Sequence, residues 1–354
     1  MNLLVTGGSG FLGRYFQRAL LDADHSITIL DLVAPAWDAG PARVVVGDVR
    51  DPAMVRQALR GAEAILHLAA AHHDFGIARE TYFSVNEEGA RVLCDAAQER
   101  GVGDICFFST VAVYGATPEP RHETAPTRPV SPYGQSKLAA ERVFESWANS
   151  GAGRRCLVIR PPVIFGPGNF ANMYSLIRQV DSGFFLRVGQ GENVKSLSYV
   201  ENIVPATLHL WKRAALAPFE VYNYVDKPDL ETRSLLEKIY HALGRRMPGW
   251  SIPEPVAVGA SWAFDLAATL AGRNLAISSA RIRKMCAQTR FEADKVRDAG
   301  FMPPVPLVEG IDRMVAWYRR EGRHQRGTSH LPPAALLTAG RNGRPQWRGG
   351  YDDE

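Results

Sequence analysis

Three glycines set between an apolar run and a helical pattern dictate how this chain must begin to fold. Asn2-Leu-Leu-Val-Thr6 reads as a buried strand, and Gly7, Gly10 and Gly13 follow in the context TGGSGFLG. Phe11, Leu12, Tyr15, Phe16, Ala19 and Leu20 then recur at spacings of three and four, the period of an amphipathic helix. A second apolar run, Ser26 to Leu30, ends at Asp31. A strand–turn–helix–strand unit of this kind is the context a dinucleotide site requires, an ordinary glycine-rich turn being the plainer alternative. Gly7 permits a tight turn, Gly10 leaves room for a pyrophosphate, and Gly13 lets the helix lie close to the strand. The N–H groups at the helix start then face the phosphates. Asp31 stands where a carboxylate accepts both ribose hydroxyls of an adenosine, which favours NAD. NADP fits less well, because its 2′-phosphate would meet a negative charge and Leu32 to Trp37 hold no arginine.

The same alternation continues. Arg43–Val46, Ala64–Leu68, Asp104–Ser109 and Arg155–Ile159 read as strands, and Asp51–Leu59, Tyr82–Arg100 and Tyr133–Asn149 as helices. Continuous apolar strands between helices indicate a parallel sheet covered on both faces. The expected fold is α/β, a Rossmann-type doubly wound parallel sheet with a smaller, mainly helical C-terminal substrate-binding part. Right-handed crossovers collect the strand carboxyl ends on one edge, which is where a site should lie. After Pro161 the alternation dissolves, Lys195–Val200 is strand-like, Val221–Val225 suits one more strand of the main sheet, and Val308–Tyr318 is a helix. The division expected is 1–165 for the dinucleotide domain with about 198–226 returning to it, 166–197 and 227–320 for the substrate part, and 321–354 as a disordered tail rich in Gly, Arg and Pro.

Charge and cysteine content bound the partners. A net charge of +4 spread over 354 residues gives no nucleic-acid footprint. Cys94, Cys106, Cys156 and Cys286 form neither a metal spacing nor a redox pair, so reduced thiols of a cytoplasmic protein and no metal are expected. The first strand is read as starting at residue 2, so no leader is expected. Val256–Leu270 is greasy but broken by Asp265 and too short to span a bilayer. A helix of the substrate part is its plain reading, contact with a membrane or a greasy substrate the other, and no membrane partner is expected.

Tyr133 and Lys137, in Ser131-Pro-Tyr-Gly-Gln-Ser-Lys137, are four apart and share a helix face. A nearby ammonium stabilises a phenolate, so the tyrosine can take a proton from an alcohol while hydride leaves the same carbon. Ser109 and Thr110, in Phe108-Ser-Thr-Val-Ala-Val-Tyr114-Gly115, fall at a strand's carboxyl end, where a hydroxyl can hold the substrate oxygen. The plainer alternatives are a solvated Tyr–Lys pair and a turn-capping hydroxyl.

With these motifs the chain resembles the extended short-chain dehydrogenase/reductase family, the NAD-dependent epimerase/dehydratase group, over about residues 1–320. The resemblance rests on TGGSGFLG, Asp31, Gly47-Asp48-Val49, His67-Leu-Ala-Ala70, Val85-Asn86, FSTVAVYG, YGQSK, Arg160-Pro-Pro162, Phe165-Gly-Pro-Gly168 and Tyr199-Val-Glu-Asn202. It implies Thr110 as the catalytic hydroxyl, Tyr133 as acid/base and Lys137 as its partner. It further implies cofactor contacts at Gly7, Gly10, Phe11, Leu12, Gly13, Asp31, Asp48, Val49, Leu68, Ala69, Ala70, Asn86, Ser109, Pro161 and Val163, beside Tyr133 and Lys137. Asn169 and Lys195 would join Thr110 and Tyr133 on the substrate, and Lys195 could equally be a solvated strand-end lysine. A homodimer through Tyr82–Arg100 and Tyr133–Asn149 is also implied.

Two departures narrow the chemistry. Sugar-nucleotide 4,6-dehydratases carry an Asp-Glu pair after the catalytic Thr, whereas Val111 and Ala112 stand here and cannot move a proton. Nucleotide-sugar enzymes usually have an asparagine three residues after the equivalent of Arg160, and Val163 stands there, as in hydroxysteroid dehydrogenases. The leading expectation is an NAD(P)-dependent epimerase or 4-keto reductase of a nucleoside-diphosphate sugar. A sterol-type or other secondary-alcohol dehydrogenase is the second, and a non-catalytic NAD-binding scaffold the third.

Overall fold

The computed structural model describes residues 1–73, 77–115, 119–183, 185–213, 215, 217–253, 255–257, 259 and 288–325. Strands β1 (Asn2–Thr6), β2 (Ser26–Asp31), β3 (Arg43–Val46), β4 (Ala64–His67), β5 (Asp104–Phe108) and β6 (Arg155–Arg160) all enter one sheet. β7 (Val163–Phe165) and β8 (Val194–Tyr199) leave it, β9 (Phe219–Asn223) rejoins it beside β6, and β10 (Asp226–Glu231) leaves again. The result is a seven-stranded sheet in the order β3-β2-β1-β4-β5-β6-β9, every neighbour parallel, and a three-stranded sheet β10-β8-β7.

Both faces of the large sheet are covered, and the strand sequences show why. Leu3 and Val5 of β1 point into one apolar cluster while Leu4 points into the other, as period-two side chains must. The first cluster takes in Phe16 and Leu20 of α1 (Phe11–Leu21), the second Val55 of α2 (Pro52–Ala58). The expected helix Tyr82–Arg100 is made of α3 (Arg79–Phe83), a π-helical turn at Ser84–Glu88 and α4 (Gly89–Arg100). That widened turn carries Asn86, and wide turns of this kind gather at functional sites. α5 (Pro132–Asn149) packs against the π turn and α4. Its Ser131 side chain caps the Gly134 N–H and Pro132 sits at the first helical position, where no N–H is missed.

Several elements differ from the sequence reading. β7, three residues long and assigned to the dinucleotide domain, lies in the small sheet beside β8. α6 (Asn172–Ser182) and α7 (Val200–Lys212) fill stretches for which no element was read, and the part expected to be mainly helical from 227 opens inside β10. α8 (Thr232–Ala242), α9 (Asp294–Asp298) and α10 (Leu307–Arg320) complete the described helices. Residues 321–325, expected as the start of a disordered tail, are instead folded. Residues 322–324 form a turn whose Gly322 and Gln325 carbonyls accept from the Tyr174 hydroxyl, while Arg323 donates to Asp181. Residues 326–354, Cys286 and residues 260–270 of the greasy stretch lie outside the described residues. Among the described residues, no helix is long and apolar enough to cross a membrane.

The Tyr199-Val-Glu-Asn202 motif turns out to be a junction. Asn202 donates to Asp226 and to the Val305 carbonyl and accepts from the Val305 N–H. Asp226 also accepts from the Tyr199 N–H and the Tyr224 hydroxyl, and burial outweighs these bonds in lifting its carboxyl to about 6. The motif thereby fixes the small sheet to the large one.

Candidate active site

The carboxyl ends of β1, β2 and β4 build a cradle from the glycine turn. Gly13 meets the Gly8 carbonyl so closely that a Cβ would lie 2.2 Å from its oxygen, so α1 presses directly on the strand exit. A Cβ on Gly7, which turns at φ +70°, would lie 2.5 Å from the Ala69 nitrogen. No side chain caps the start of α1, which leaves its first N–H groups for an outside acceptor. Asp31 accepts from the Ser9 N–H at 2.9 Å, and burial lifts its carboxyl above the ordinary range. The acid therefore stands at the rim of the glycine turn. Phe11 stacks edge-on against Tyr15, whose hydroxyl donates to the Pro167 carbonyl, so the loop after β7 closes on α1. Leu12 packs partly buried against the core beneath.

Asp48 and Val49 behave differently from one another. Val49 is buried beneath Gly89, where a Cβ would come within 2.7 Å of it. Burial pushes the Asp48 carboxyl up, but the bonds and charge of Arg50 outweigh this and hold it below its usual range. Leu68, Ala69 and Ala70 line the strand exit half-buried. Asn86 is 1% exposed, accepts from the Ala71 N–H, and donates to the Ala71 carbonyl and the Ser136 hydroxyl. Both amide protons of Asn86 are so used, and the residue holds the loop after β4. The Ser136 hydroxyl in turn donates to the Tyr133 carbonyl, which ties that loop to α5.

Thr110, Tyr133 and Lys137 gather at the carboxyl end of β5. Thr110 caps the 3-10 turn Val111–Tyr114 by accepting from the Ala112 N–H at 3.1 Å. Capping uses a lone pair, so the hydroxyl proton remains available to a substrate oxygen. α5 starts hard against this turn: a Cβ on Gly134 would lie 2.6 Å from the Ala112 carbonyl oxygen. That close approach brings Tyr133 and Thr110 to one place. The Tyr133 ring packs with Ala71, Tyr82 and Val85, tilted on Tyr82 at 6.4 Å.

One turn further along α5, Lys137 is 1% exposed, its Nζ 4.1 Å from the centre of the Phe107 ring. Desolvation lowers its ammonium from 10.5 to about 7, against an upward pull from Glu141. The solvated-lysine alternative is thereby excluded. His67 stacks on the same Phe107 ring at 5.4 Å, with Nδ1 2.6 Å from the Thr6 hydroxyl. Burial first and Lys137 second bring its imidazole down to about 3, so it stays neutral.

Glu141, one more turn along the same face, was not foreseen. Arg160 Nε donates to its Oε1 at 2.9 Å and Nη2 to its Oε2 at 2.5 Å, and the Ser109 hydroxyl also donates to it. Ser109, expected on the cofactor, instead anchors this buried pair. Arg160 continues to the Tyr114 hydroxyl, which donates to Asn223, so β5, α5, β6 and β9 share one network. The signals available were the spacing of four from Lys137 and an arginine ending an apolar strand.

The remaining expected residues lie further out. The Pro161 carbonyl accepts from the Val111 N–H, and Val163 is 37% exposed in β7. Asn169 donates to the Ile164 carbonyl and accepts from the Ala171 N–H, so its amide braces its own loop. Lys195 lies half-buried in β8, opposite Leu230 and bridged to Thr289.

Known proteins match this arrangement. The family described as the NAD dependent epimerase/dehydratase family matches residues 3–224. An N-acetyl-alpha-D-glucosaminyl-diphospho-ditrans,octacis-undecaprenol 4-epimerase of Escherichia coli O157:H7 is 39% identical over 318 residues, 89% of this chain and 95% of that one. A 3beta-hydroxysteroid-dehydrogenase/decarboxylase of Arabidopsis thaliana is 26% identical, covering 88% of this chain and 78% of its own. The solved structure of DesIV, a dTDP-glucose 4,6-dehydratase from Streptomyces venezuelae with NAD bound, superposes with a TM-score of 0.72 at 26% identity, over 91% of this chain and 98% of that one. The glycine cradle, the uncapped start of α1 and the acid at its rim fit NAD.

Proposed function

The chain belongs to the NAD-dependent epimerase/dehydratase family, and from that premise we propose that it inverts C4 of a sugar carried on a diphosphate, with a polyprenol-linked N-acetylhexosamine as the favoured substrate. The observation that carries this reading is the 39% identity to the undecaprenol-diphospho-sugar 4-epimerase across nearly both full lengths. The site chemistry agrees. NAD, when bound, supplies a hydride acceptor that can return what it takes.

The side chains do the rest. Thr110 donates its free hydroxyl proton to the sugar oxygen and holds it toward Tyr133. Tyr133 takes the C4 hydroxyl proton as that carbon is oxidised and gives it back after the keto sugar has turned over in the site, so no net redox occurs. Lys137, buried on Phe107, stabilises the tyrosine's ionised form. At the positions where dehydratases need an acid and a base, Val111 is buried and Ala112 is half-buried, and both are hydrocarbon, so water elimination has no proton donor there. Lys195, on the small sheet, is the residue proposed to meet the diphosphate.

The test is conversion of a synthetic N-acetylglucosaminyl-diphospho-polyprenol to its 4-epimer by the NAD-loaded protein, read by chromatography beside the corresponding nucleotide sugar. Turnover of the lipid-linked sugar supports the proposal, and turnover of the nucleotide sugar alone overturns the lipid part. Tyr133→Phe should cut the rate at least about a hundredfold while NAD still binds. A variant with full activity would remove Tyr133 from the mechanism. The exposed Val163 and the Arabidopsis relative favour a second reading, a sterol-type dehydrogenase, which net NAD reduction by a sterol would reveal.

A further inference from the structure

One end of the small domain carries positive charge and exposed apolar side chains together. The carboxyl ends of α6, α8 and α10 converge there: Arg245 and Arg323 both reach Asp181, at 3.1 and 2.8 Å, and Arg319 donates to the Ala242 carbonyl. Across residues 177–190, 238–253 and 316–325 the sequence holds eight arginines and lysines against two acids, Asp181 and Glu321. Asp181 is buried beneath two of those arginines and the Tyr318 hydroxyl, so it offers little negative charge to an approaching surface. Beside this cluster the segment at Arg187–Gly189 pairs with Ile252, and Arg187 donates to the Gly249 carbonyl. That pairing presents Leu186 and Trp250, 50% and 59% exposed, and the exposed Arg246 precedes Trp250 by four positions in the chain.

We infer that this end seats the protein on an anionic phospholipid surface. Arginines draw a protein to anionic headgroups, and a tryptophan with an aliphatic neighbour buries its apolar body at the headgroup level while its N–H stays wet. A nucleic acid would use the charge but leave Leu186 without a partner of its own kind. The inference rests on the proposed lipid-linked substrate: a polyprenol diphosphate lies with its tail in the bilayer, so an enzyme acting on it must work at that surface. It reverses the expectation that the chain has no membrane partner.

The test is co-sedimentation of the full chain, loaded with NAD, with vesicles of phosphatidylglycerol or of phosphatidylcholine. The protein is expected to sediment with the first and far less with the second. Arg246→Glu should weaken binding to phosphatidylglycerol at least about fivefold, from the usual contribution of one basic residue near such a surface. Trp250→Ser should weaken it as well, with melting temperature and NAD affinity unchanged in both. No sedimentation of the wild type with phosphatidylglycerol, or equal sedimentation of the wild type and both variants, would overturn the inference. Vesicle binding needs no turnover, so a protein that seats on vesicles but leaves the lipid-linked sugar unchanged refutes the substrate reading alone.

Discussion

Glu141→Gln isolates the buried ion pair behind Lys137. Glu141 and Arg160 are 3% and 5% exposed and joined by two hydrogen bonds, so the amide keeps the shape and removes the charge. Arg160 would then be an unpaired buried cation, which costs about 3–5 kcal/mol when one partner of such a pair is lost. A chain of 354 residues unfolds with an entropy of about 0.7 kcal/mol per kelvin. The melting temperature should therefore fall by about 4–7 °C in a calorimetric scan. Removing both charges, as in Glu141→Leu with Arg160→Met, should restore much of the loss, because well-packed apolar pairs replace buried ion pairs at little cost. Activity carries a second signature. Burial lowers the Lys137 ammonium and Glu141 pulls it back up, the balance standing at about 7, so loss of Glu141 sends that value lower. The ammonium is then lost at lower pH, and the basic limb of the rate profile should move down in pH. A Glu141→Gln protein melting within a degree of the wild type, with an unmoved basic limb, would refute the reasoning.

Three further outcomes follow from the same structure. Gly13→Ala must displace the Gly8 backbone, which its Cβ would approach to 2.2 Å, so stability should drop by about 1–3 kcal/mol and NAD affinity should fall, both checked by melting with and without NAD; unchanged affinity would mean the close approach is unnecessary. Asp31→Ala should raise the use of NADP relative to NAD in a turnover assay, and a wild type that already prefers NADP would show that Asp31 does not face the ribose. His67 stays neutral with its imidazole brought from 6.5 to about 3, so the folded chain binds fewer protons than the unfolded one between those values. Its contribution is complete above pH 6.5 and is lost as pH falls toward 3, on the order of a few kcal/mol. His67→Asn should flatten that acid loss in denaturant titrations, and an identical slope in both proteins would place the proton elsewhere.

The parallel strands of the first half were legible because strands buried on both faces read as unbroken apolar runs, and β1, β4 and β5 do. The glycine turn was legible for a different reason: Gly13 has a steric neighbour that only an absent side chain tolerates. What stayed hidden depends on partners distant in the chain. Glu141 on a helix looks like a solvated acid, and only the return of β6, 19 residues later, brings Arg160 to it. Asn86 looked like a cofactor contact, but the π turn directs its amide to Ala71 and Ser136. β7 is too short for any period to show, and α6, whose Met173, Tyr174, Ile177 and Val180 do keep helical spacing, was masked by the Gly-Pro-Gly stretch before it.

These hidden residues bear on the role proposed for Tyr133. A phenol that must take and return a proton needs its ammonium partner and its opposing hydroxyl fixed to within a fraction of an ångström before substrate arrives, because reorganisation during the reaction would erode the gain. α5 is held for this from two sides. At its start, Asn86 and Ser136 bind it to the loop after β4, and the absence of a side chain at Gly134 lets it abut the turn that carries Thr110. Two turns on, Glu141 is held by Arg160 and Ser109, which stand at the ends of β6 and β5. Tyr133 lies at the first anchor, its carbonyl accepting from the Ser136 hydroxyl, and Lys137 lies between the two on the same face. Loosening either anchor should therefore lower turnover more than it lowers NAD affinity, because the Ser136 and Ser109 hydroxyls bond to Tyr133, Asn86 and Glu141 and not to the glycine turn proposed to hold the cofactor's phosphates. Ser136→Ala and Ser109→Ala, measured for turnover number and for NAD dissociation constant, separate the two effects. Equal losses in both quantities would place these hydroxyls in cofactor binding and remove them from the positioning of Tyr133.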